Sequence, residues 1–189
     1  DTDKTALLKG EVNDRFRLIV VTNGSVDIAF GSRSFCLTAE SQQPKCGKHT
    51  SSQSYNAALV SLKKPVTFSR KTLVGNHSER VSIGVSQEWL KHAFSSSEYE
   101  DAINKWEHLG VMQWQASSKM IQLAKELLNP NPCPAMLKGI YRESRAVELV
   151  LNTFARGMMG NSPVSEMNDG TLVPKKWLAF RGWLQQHAV

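Results

Sequence analysis

The fold class is decided by residues 16–30, FRLIVVTNGSVDIAF. Two apolar runs rich in β-branched residues lie on either side of Asn23-Gly24, a pair that tolerates the positive φ angles of a type I′ turn. The stretch therefore predicts a β-hairpin with strands over residues 16–21 and 26–30.

Further strand-like runs follow as far as residue 85. A turn at Gly31 leads into a third strand over residues 35–37, and the polar residues 39–56 predict a long loop. The other strands are predicted over residues 57–62, 66–70 and 80–85, which makes six in all. Short runs between turn residues are typical of a small antiparallel sheet system or barrel.

The apolar spacing becomes helical after the last of these strands. Ser86 predicts the N-cap of a first short helix, and Ser96 or Ser97 that of a second one reaching Trp106. The sheet-rich part is thus expected to give way to helices at about residue 86.

Two longer helices are predicted in the second half of the chain. One begins at Ser117-Ser118 and ends at Asn129-Pro130, and the other carries apolar residues from Leu137 to Met158. Because a Pro-rich corner joins them, we expect them to pack antiparallel. Residues 161–170 read as a linker, and residues 174–187 as a helix without a C-cap, which suggests that more chain followed.

Composition excludes some classes of protein. The 189 residues are 41% hydrophobic and 21% charged, as in a globular domain with a real core. No apolar run is long enough for a membrane span and no signal peptide opens the chain, so a cytoplasmic location without membrane contact is expected. The net charge of +6 invites a nucleic-acid role, but Lys and Arg are spread evenly, which favours a solvated surface. The three cysteines lack metal-type spacing and are expected to be reduced thiols.

The chemistry of an enzyme is missing from the sequence. The five histidines include no His-x-His pair, and no nucleophile elbow or phosphate-binding loop precedes a helix. We therefore predict no catalytic residues, no metal ligands and no cofactor. A cupin-type metal-dependent enzyme is the alternative, and an interaction scaffold without a cavity is a third reading.

Basic and aromatic side chains are the candidates for ligand binding. A basic residue that points into a barrel costs several kcal/mol unless it is satisfied, so such residues often mark a ligand, although each could equally face solvent. The predicted ligand-binding residues on and beside the strands are Arg17, Lys63, Arg70 and Arg80. Trp89 and Trp114 follow the sheet and would offer flat surface at one end of a cavity, with core packing as their ordinary role.

The long helix carries a candidate dimer seam. The apolar stripes of the two long helices together exceed what one small sheet needs to cover, which favours a homodimer. The predicted dimerisation residues are Leu137, Tyr141, Val147 and Leu151.

Several stretches resemble the amino-terminal effector domain of AraC/XylS-type transcription regulators, and are most similar to the pyochelin-sensing regulators of siderophore uptake. The resemblance extends from about residue 8 to residue 159. It is carried by residues 17–21 (RLIVV), 80–90 (RVSIGVSQEWL), 124–130 (AKELLNP) and 140–149 (IYRESRAVEL).

The resemblance implies an α+β fold, with a cupin-like antiparallel β-barrel of jelly-roll type followed by a helical dimerisation unit. Residues 1–85 would form the ligand-binding barrel, residues 86–160 the helical dimerisation region packed on it, and residues 161–189 a linker and the start of a helix. That helix would lead to an absent carboxy-terminal domain, through which alone DNA would be bound. The implied effector is a small molecule, a ferric siderophore whose iron arrives already held by its chelator.

Overall fold

The computed structural model describes residues 6–39, 55–72, 77–93, 103–130 and 132–158. The strands in these ranges are β1 (Ala6–Val12), β2 (Phe16–Asn23), β3 (Ser25–Phe30), β4 (Arg33–Thr38), β5 (Ala57–Ser61), β6 (Val66–Thr72), β7 (Glu79–Val85) and β8 (Val111–Trp114). The helices are α1 (Gln87–Ala93), α2 (Ser118–Leu128) and α3 (Lys138–Met158), with a 3₁₀ turn over Ala135–Leu137 before α3.

The strands form two antiparallel sheets of four. Sheet A has the order β1-β6-β3-β4, and sheet B has the order β7-β2-β5-β8. Successive strands alternate between the two sheets from β1 to β3 and again from β4 to β7. The chain therefore crosses repeatedly from one layer to the other. This connectivity is that of a jelly roll. Together with the helices it confirms the α+β, cupin-like fold class.

The predicted hairpin between β2 and β3 is wrong, because these strands lie in different sheets. Strand β2 is bonded on its two edges to β5 and β7, and β3 to β4 and β6, so neither has an edge left for the other. Of the pair at the turn, only Gly24 has a positive φ, 76°, whereas a type I′ turn needs two such residues. The hairpin in this region joins β3 to β4 at Gly31, as predicted for the second turn.

The six predicted strands are all present, but β1 and β8 were missed. Strand β1 forms one edge of sheet A, and the four-residue β8 forms one edge of sheet B. Strand β8 also lies beyond the predicted end of the barrel at residue 85, so the sheet draws on both halves of the chain. The boundary at residue 85 remains a prediction.

Local capping positions the helices. The Ser86 hydroxyl accepts a hydrogen bond from the Trp89 N–H (3.1 Å), and Ser117 Oγ accepts one from the Met120 N–H (3.3 Å). Helix α2 ends at Asn129, as predicted. It packs antiparallel to α3, since Lys119 near its start pairs with Glu148 at the middle of α3, while Glu126 near its end meets Tyr141 near the start of α3.

Several predictions concern residues that the structure does not describe, and the prediction for the cysteines needs correction. The loop over residues 39–56, the second short helix and everything from residue 159 onward lie largely or wholly outside the described residues. The prediction of three reduced thiols is wrong: Cys36 is disulfide-bonded, while Cys133 is free. An odd cysteine count excludes a fully paired framework but not a single bond.

Sheet B separates two apolar cores. The intersheet core lies between the sheets and includes Ile19, Val21, Ile28 and Val60. The helix-side core lies between the other face of sheet B and the helices, and its buried members are Phe16, Leu18, Val20, Ala57, Leu59, Val85, Leu90, Ile103, Trp114, Ala116, Met120, Leu123, Ala124, Leu149, Val150 and Phe154. Both belong to one compact unit that ends at Met158.

Candidate ligand site on the inner sheet faces

Three of the predicted arginines point into the space between the sheets. In an antiparallel pair, directly opposite residues project to the same side. Each arginine has as its cross-strand partner a residue of the intersheet core: Arg17 pairs with Val60, Arg70 with Ile28 and Arg80 with Val21. We call this set, Arg17, Arg70 and Arg80, the arginine face.

The intersheet space is apolar on one side and open on the other. Along β7 the inward positions are Arg80, Ser82 and Gly84, of which Ser82 and Gly84 are exposed. On the opposite sheet, Leu8 of β1 lies beside Arg70 and is 53% exposed, and a Cβ added to Gly10 would meet no atom of the described residues within 4 Å. The space between the sheets therefore contains fewer apolar side chains near β1 and β7, where the inward residues are charged or small.

The arginine face has little internal charge compensation. Arg17 forms an ion pair with Asp14, and both side chains are mostly buried. Within the described part of the chain, Arg70 and Arg80 have no ion-pair partner, and the buried Nε atoms of Arg17 and Arg70 find no hydrogen-bond acceptor. Guanidinium groups in this condition suit a carboxylate or another planar anion.

The face is long rather than compact. Arg17 lies opposite Gly84, and Arg80 lies opposite Val21 on the same pair of strands. This offset of four residues corresponds to about 13 Å along the sheet. Arg70 belongs to the facing sheet, at a layer separation of about 10 Å.

Lys63, also predicted to bind ligand, is not on this face. It follows β5, is exposed, and its Nζ donates to the carbonyl of Asn104 (3.2 Å). Its backbone N–H donates to Nδ1 of His108 (3.1 Å). Burial, followed by the charges of Lys64 and Lys63, lowers the pKa of His108 below its ordinary value of 6.5. Lys63 thus takes part in a local link between β5 and the segment before β8.

The two predicted tryptophans lie on the other side of sheet B. Trp114 is buried in the helix-side core, and Trp89 packs against that core from α1. Sheet B stands between them and the arginine face. Their role as ligand contacts stays a prediction.

Two residues of the site, Asp14 and Gly84, were not predicted from the sequence. Asp14 pairs with Arg17 at spacing i, i+3, and its carboxylate occupies the place that a side chain at position 84 would need. A glycine inside a strand pattern is the available signal, because it often marks the close approach of another group. Among the described residues, no cluster of three or more His, Cys, Asp or Glu side chains is arranged to hold a metal ion.

An exposed apolar stripe lies on the outer surface of the helical half. Met136, Leu137 and Ile140 are 85%, 46% and 66% exposed. At about 100° per residue, Val147 and Leu151 continue from Ile140 along one face of α3, at i+7 and i+11. Of the predicted dimerisation residues, Tyr141 departs from this stripe.

Tyr141 is engaged within the chain. Its hydroxyl donates to the Glu126 carboxylate on α2 (3.1 Å). Partial burial and this hydrogen bond raise the pKa of Tyr141. Ile140, which was not chosen from the sequence, takes the corresponding place on the exposed stripe.

No helix in the described ranges has both the length and the apolar character that crossing a bilayer requires.

The chain is similar to known proteins in two respects. Residues 4–168 match the family described as "Regulatory protein PchR N-terminal domain". The crystal structure of apo ToxT K231A from Vibrio cholerae strain SCE256 is similar with a TM-score of 0.43 and 11% sequence identity, over 96% of this chain and 77% of that one. No curated protein matches the chain in sequence.

Proposed function

The chain belongs to the family of PchR regulatory-protein amino-terminal domains, and from this premise we propose that it senses a ferric siderophore, or a similar small molecule, at the arginine face. It is a ligand-sensing domain of an AraC-type regulator, in line with the resemblance of its sequence. The family is one of regulatory domains, and the alternative of a cupin-type metal-dependent enzyme finds no support in it.

The observation that carries the proposal is the arginine face itself. Three guanidinium groups share the space between the sheets with Ser82, beside Gly10, where a Cβ would meet no atom of the described residues within 4 Å. Such groups recognise acidic oxygens and are poor ligands for iron. The iron of a chelate would therefore stay with its chelator, and the protein would bind the acidic oxygen atoms at the edge of the chelate.

The output side of the proposal is a homodimer formed through α3. The stripe made of the exposed Leu137 and Ile140 and the half-buried Val147 and Leu151 has the 3-4 spacing of a two-helix seam. Ligand binding would shift the population between two arrangements of the helices. In this proposal the protein is cytoplasmic, and DNA is bound by a separate carboxy-terminal domain, as the resemblance implies.

Calorimetry with ferric pyochelin and with the iron-free chelator tests the proposal. The wild-type chain is expected to bind the ferric form. Arg70→Gln should weaken that binding by roughly tenfold or more, since a charge-assisted hydrogen bond is worth about 1.5–3 kcal/mol. Lys71→Gln, an equal change of charge at an exposed position next along the same strand, should leave the affinity unchanged.

Two results would contradict the proposal in different ways. If no ferric chelate binds and another class of metabolite does, the siderophore assignment is wrong. If the chelate binds equally well to wild type and Arg70→Gln, the arginine face is not the site.

A further inference from the structure

The ion pair between Asp14 and Arg17 joins the arginine face to the link between β1 and β2. Asp14 belongs to that link, whereas Arg17 is the second residue of β2. The Asp14 carboxylate lies against Gly84 on the inner face of sheet B, where a Cβ would overlap it. An internal carboxylate therefore already occupies one of the three guanidinium groups of the face.

The next residue, Arg15, is tied to the helical half of the molecule. It is 8% exposed, and its guanidinium donates to the Ser61 hydroxyl (2.7 Å) and to the carbonyl of Ile103 (2.8 Å). The same group lies 4.5 Å from the ring centroid of Phe16. Arg15 thus connects the link before β2 to β5 and to the segment that precedes β8.

Phe16 reaches the helices from the opposite face of sheet B. It is fully buried in the helix-side core, edge-on to Trp106 (5.7 Å between centroids) and to Phe154 of α3 (5.3 Å). Residues 14–17 therefore connect the two sides of sheet B. Asp14 and Arg17 lie on the side of the arginine face, and Arg15 and Phe16 contact the helical half.

We propose that the ligand of the arginine face is an organic anion whose acidic group displaces the Asp14 carboxylate from Arg17, and that this exchange alters the packing of α3 through Arg15 and Phe16. The inference rests on the proposed function, since it takes the arginine face as the ligand site. Asp14 acts as a tethered competitor, and residues 14–17 carry the response.

Charge and placement give the exchange its direction. Two carboxylates at one guanidinium repel each other, so a ligand acid that binds Arg17 favours arrangements in which Asp14 has moved away. Asp14 can move more readily than Arg17, because it lies between two strands rather than in a hydrogen-bonded ladder. Any displacement of Asp14 acts directly on Arg15, the adjoining residue, and so on its bonds to Ser61 and Ile103.

Asp14→Asn tests the competition, because it keeps the shape of the side chain and removes its charge. Citrate serves as a polycarboxylate probe, alongside ferric pyochelin. Asp14→Asn is expected to bind citrate at least about fivefold more tightly than wild type, since the competing charge is gone. Asp27→Asn, the same change on the outer face of sheet A, should bind as wild type does.

Hydrogen–deuterium exchange tests the response without any ligand. Ligand-free Asp14→Asn should show altered exchange at the α3 amides of residues 149–154, in the direction that bound citrate produces in wild type. Adding Arg15→Lys, which keeps the charge but cannot bridge Ser61 and Ile103 in the same way, should preserve the tighter binding and remove the change in α3. Thermal melts confirm that each variant is folded.

The outcomes separate this inference from the proposed function. Citrate binding that is unchanged or weaker in Asp14→Asn overturns the competition, and tighter binding with unaltered exchange in α3 overturns the response. Ferric pyochelin could fail to bind while Asp14→Asn still binds citrate more tightly and shows the altered exchange in α3. That result would contradict the effector assignment and leave the coupling through residues 14–17 supported.

Discussion

His108 is the residue at which we expect the stability of the fold to depend on pH. Its Nδ1 accepts a hydrogen bond from the Lys63 N–H, which requires the ring to be neutral, and its pKa is lowered by burial, then by Lys64 and Lys63. The unfolded chain, with a pKa near 6.5, binds this proton more readily than the folded one. The contribution to stability is therefore complete above pH 6.5 and is lost as pH falls through the lowered pKa.

Urea denaturation at about pH 7.5 and about pH 5 measures this dependence. Replacing His108 by Gln should reduce the difference between the two midpoints. The matched control is His92→Gln, at an exposed position on α1, which should leave the difference as in wild type. An equal pH dependence in wild type and His108→Gln would show that the lowered pKa has no effect on folding.

Single residues differ in how well the sequence reports their position. Arg70 and Arg80 were predicted as candidates because they are basic residues within strands, but alternation alone allowed either face, and only their pairing with Ile28 and Val21 places them inward. For Trp114 on β8 the alternation could not separate the two sides of sheet B, because both sides of that sheet are covered, and for Trp89 on α1 the sequence does not show which side of the sheet the helix packs on. Asp14 went unnoticed because a short acid before a strand is ordinarily solvated.

At the level of elements, the link between β2 and β3 depends on Gly24. Its φ of 76° is strained for any residue with a side chain, and a Cβ there would overlap the carbonyl oxygen of His77. Gly24→Ala should lower the free energy of unfolding by at least about 1 kcal/mol. Gly10→Ala is the control: its Cβ would meet no atom within 4 Å in the described part of the chain and its φ is not positive, so stability should change by less than about 0.5 kcal/mol.

Chemical denaturation of the two variants against wild type checks this prediction. A Gly24→Ala variant as stable as Gly10→Ala would mean that the link adapts without strain. The sequence identified Gly24 correctly as a positive-φ residue but assigned it to a hairpin. The residues at a turn predict that the chain bends there, but they do not predict which strands pair. The pairing of β2 with β5 and β7 depends on residues far along the sequence.

The elements of sheet B explain why the candidate site could be predicted only in part. Burial along β2 is nearly continuous, and β5 is buried at every position. A strand covered on both faces loses the alternation that would tell one side from the other. The sequence therefore predicts that β2 is a strand and that Arg17 interrupts it, but not that Phe16 and Arg17 serve different cores.

For the whole molecule, sheet B lies between the arginine face, which is the ligand side in our proposal, and the helices. Residues of one strand, β2, reach both the arginine face and Phe154 on α3. A sensor needs such a shared element, because a ligand shifts an equilibrium only if it interacts differently with the two states. The jelly-roll and helical halves belong to one compact unit, and in the proposed function its output depends on what α3 contacts.

The exposed stripe of α3 leads to the prediction for the assembly. Ile140 is 66% exposed, so Ile140→Asp removes apolar surface from the proposed seam without disturbing the core. A charge placed in such a seam is desolvated without a partner, so the variant should be a monomer at concentrations where wild type is a dimer. Leu151→Asp should act in the same direction.

Light scattering across a dilution series measures the change. Arg142→Gln alters the charge by the same amount at an exposed position on the opposite side of α3, and should leave the dimer intact. A dimer that persists in both Ile140→Asp and Leu151→Asp would place the interface elsewhere, and a monomeric wild type would remove it. Either result would leave the arginine face as a binding site but would separate it from the helix through which we expect its signal to leave the domain.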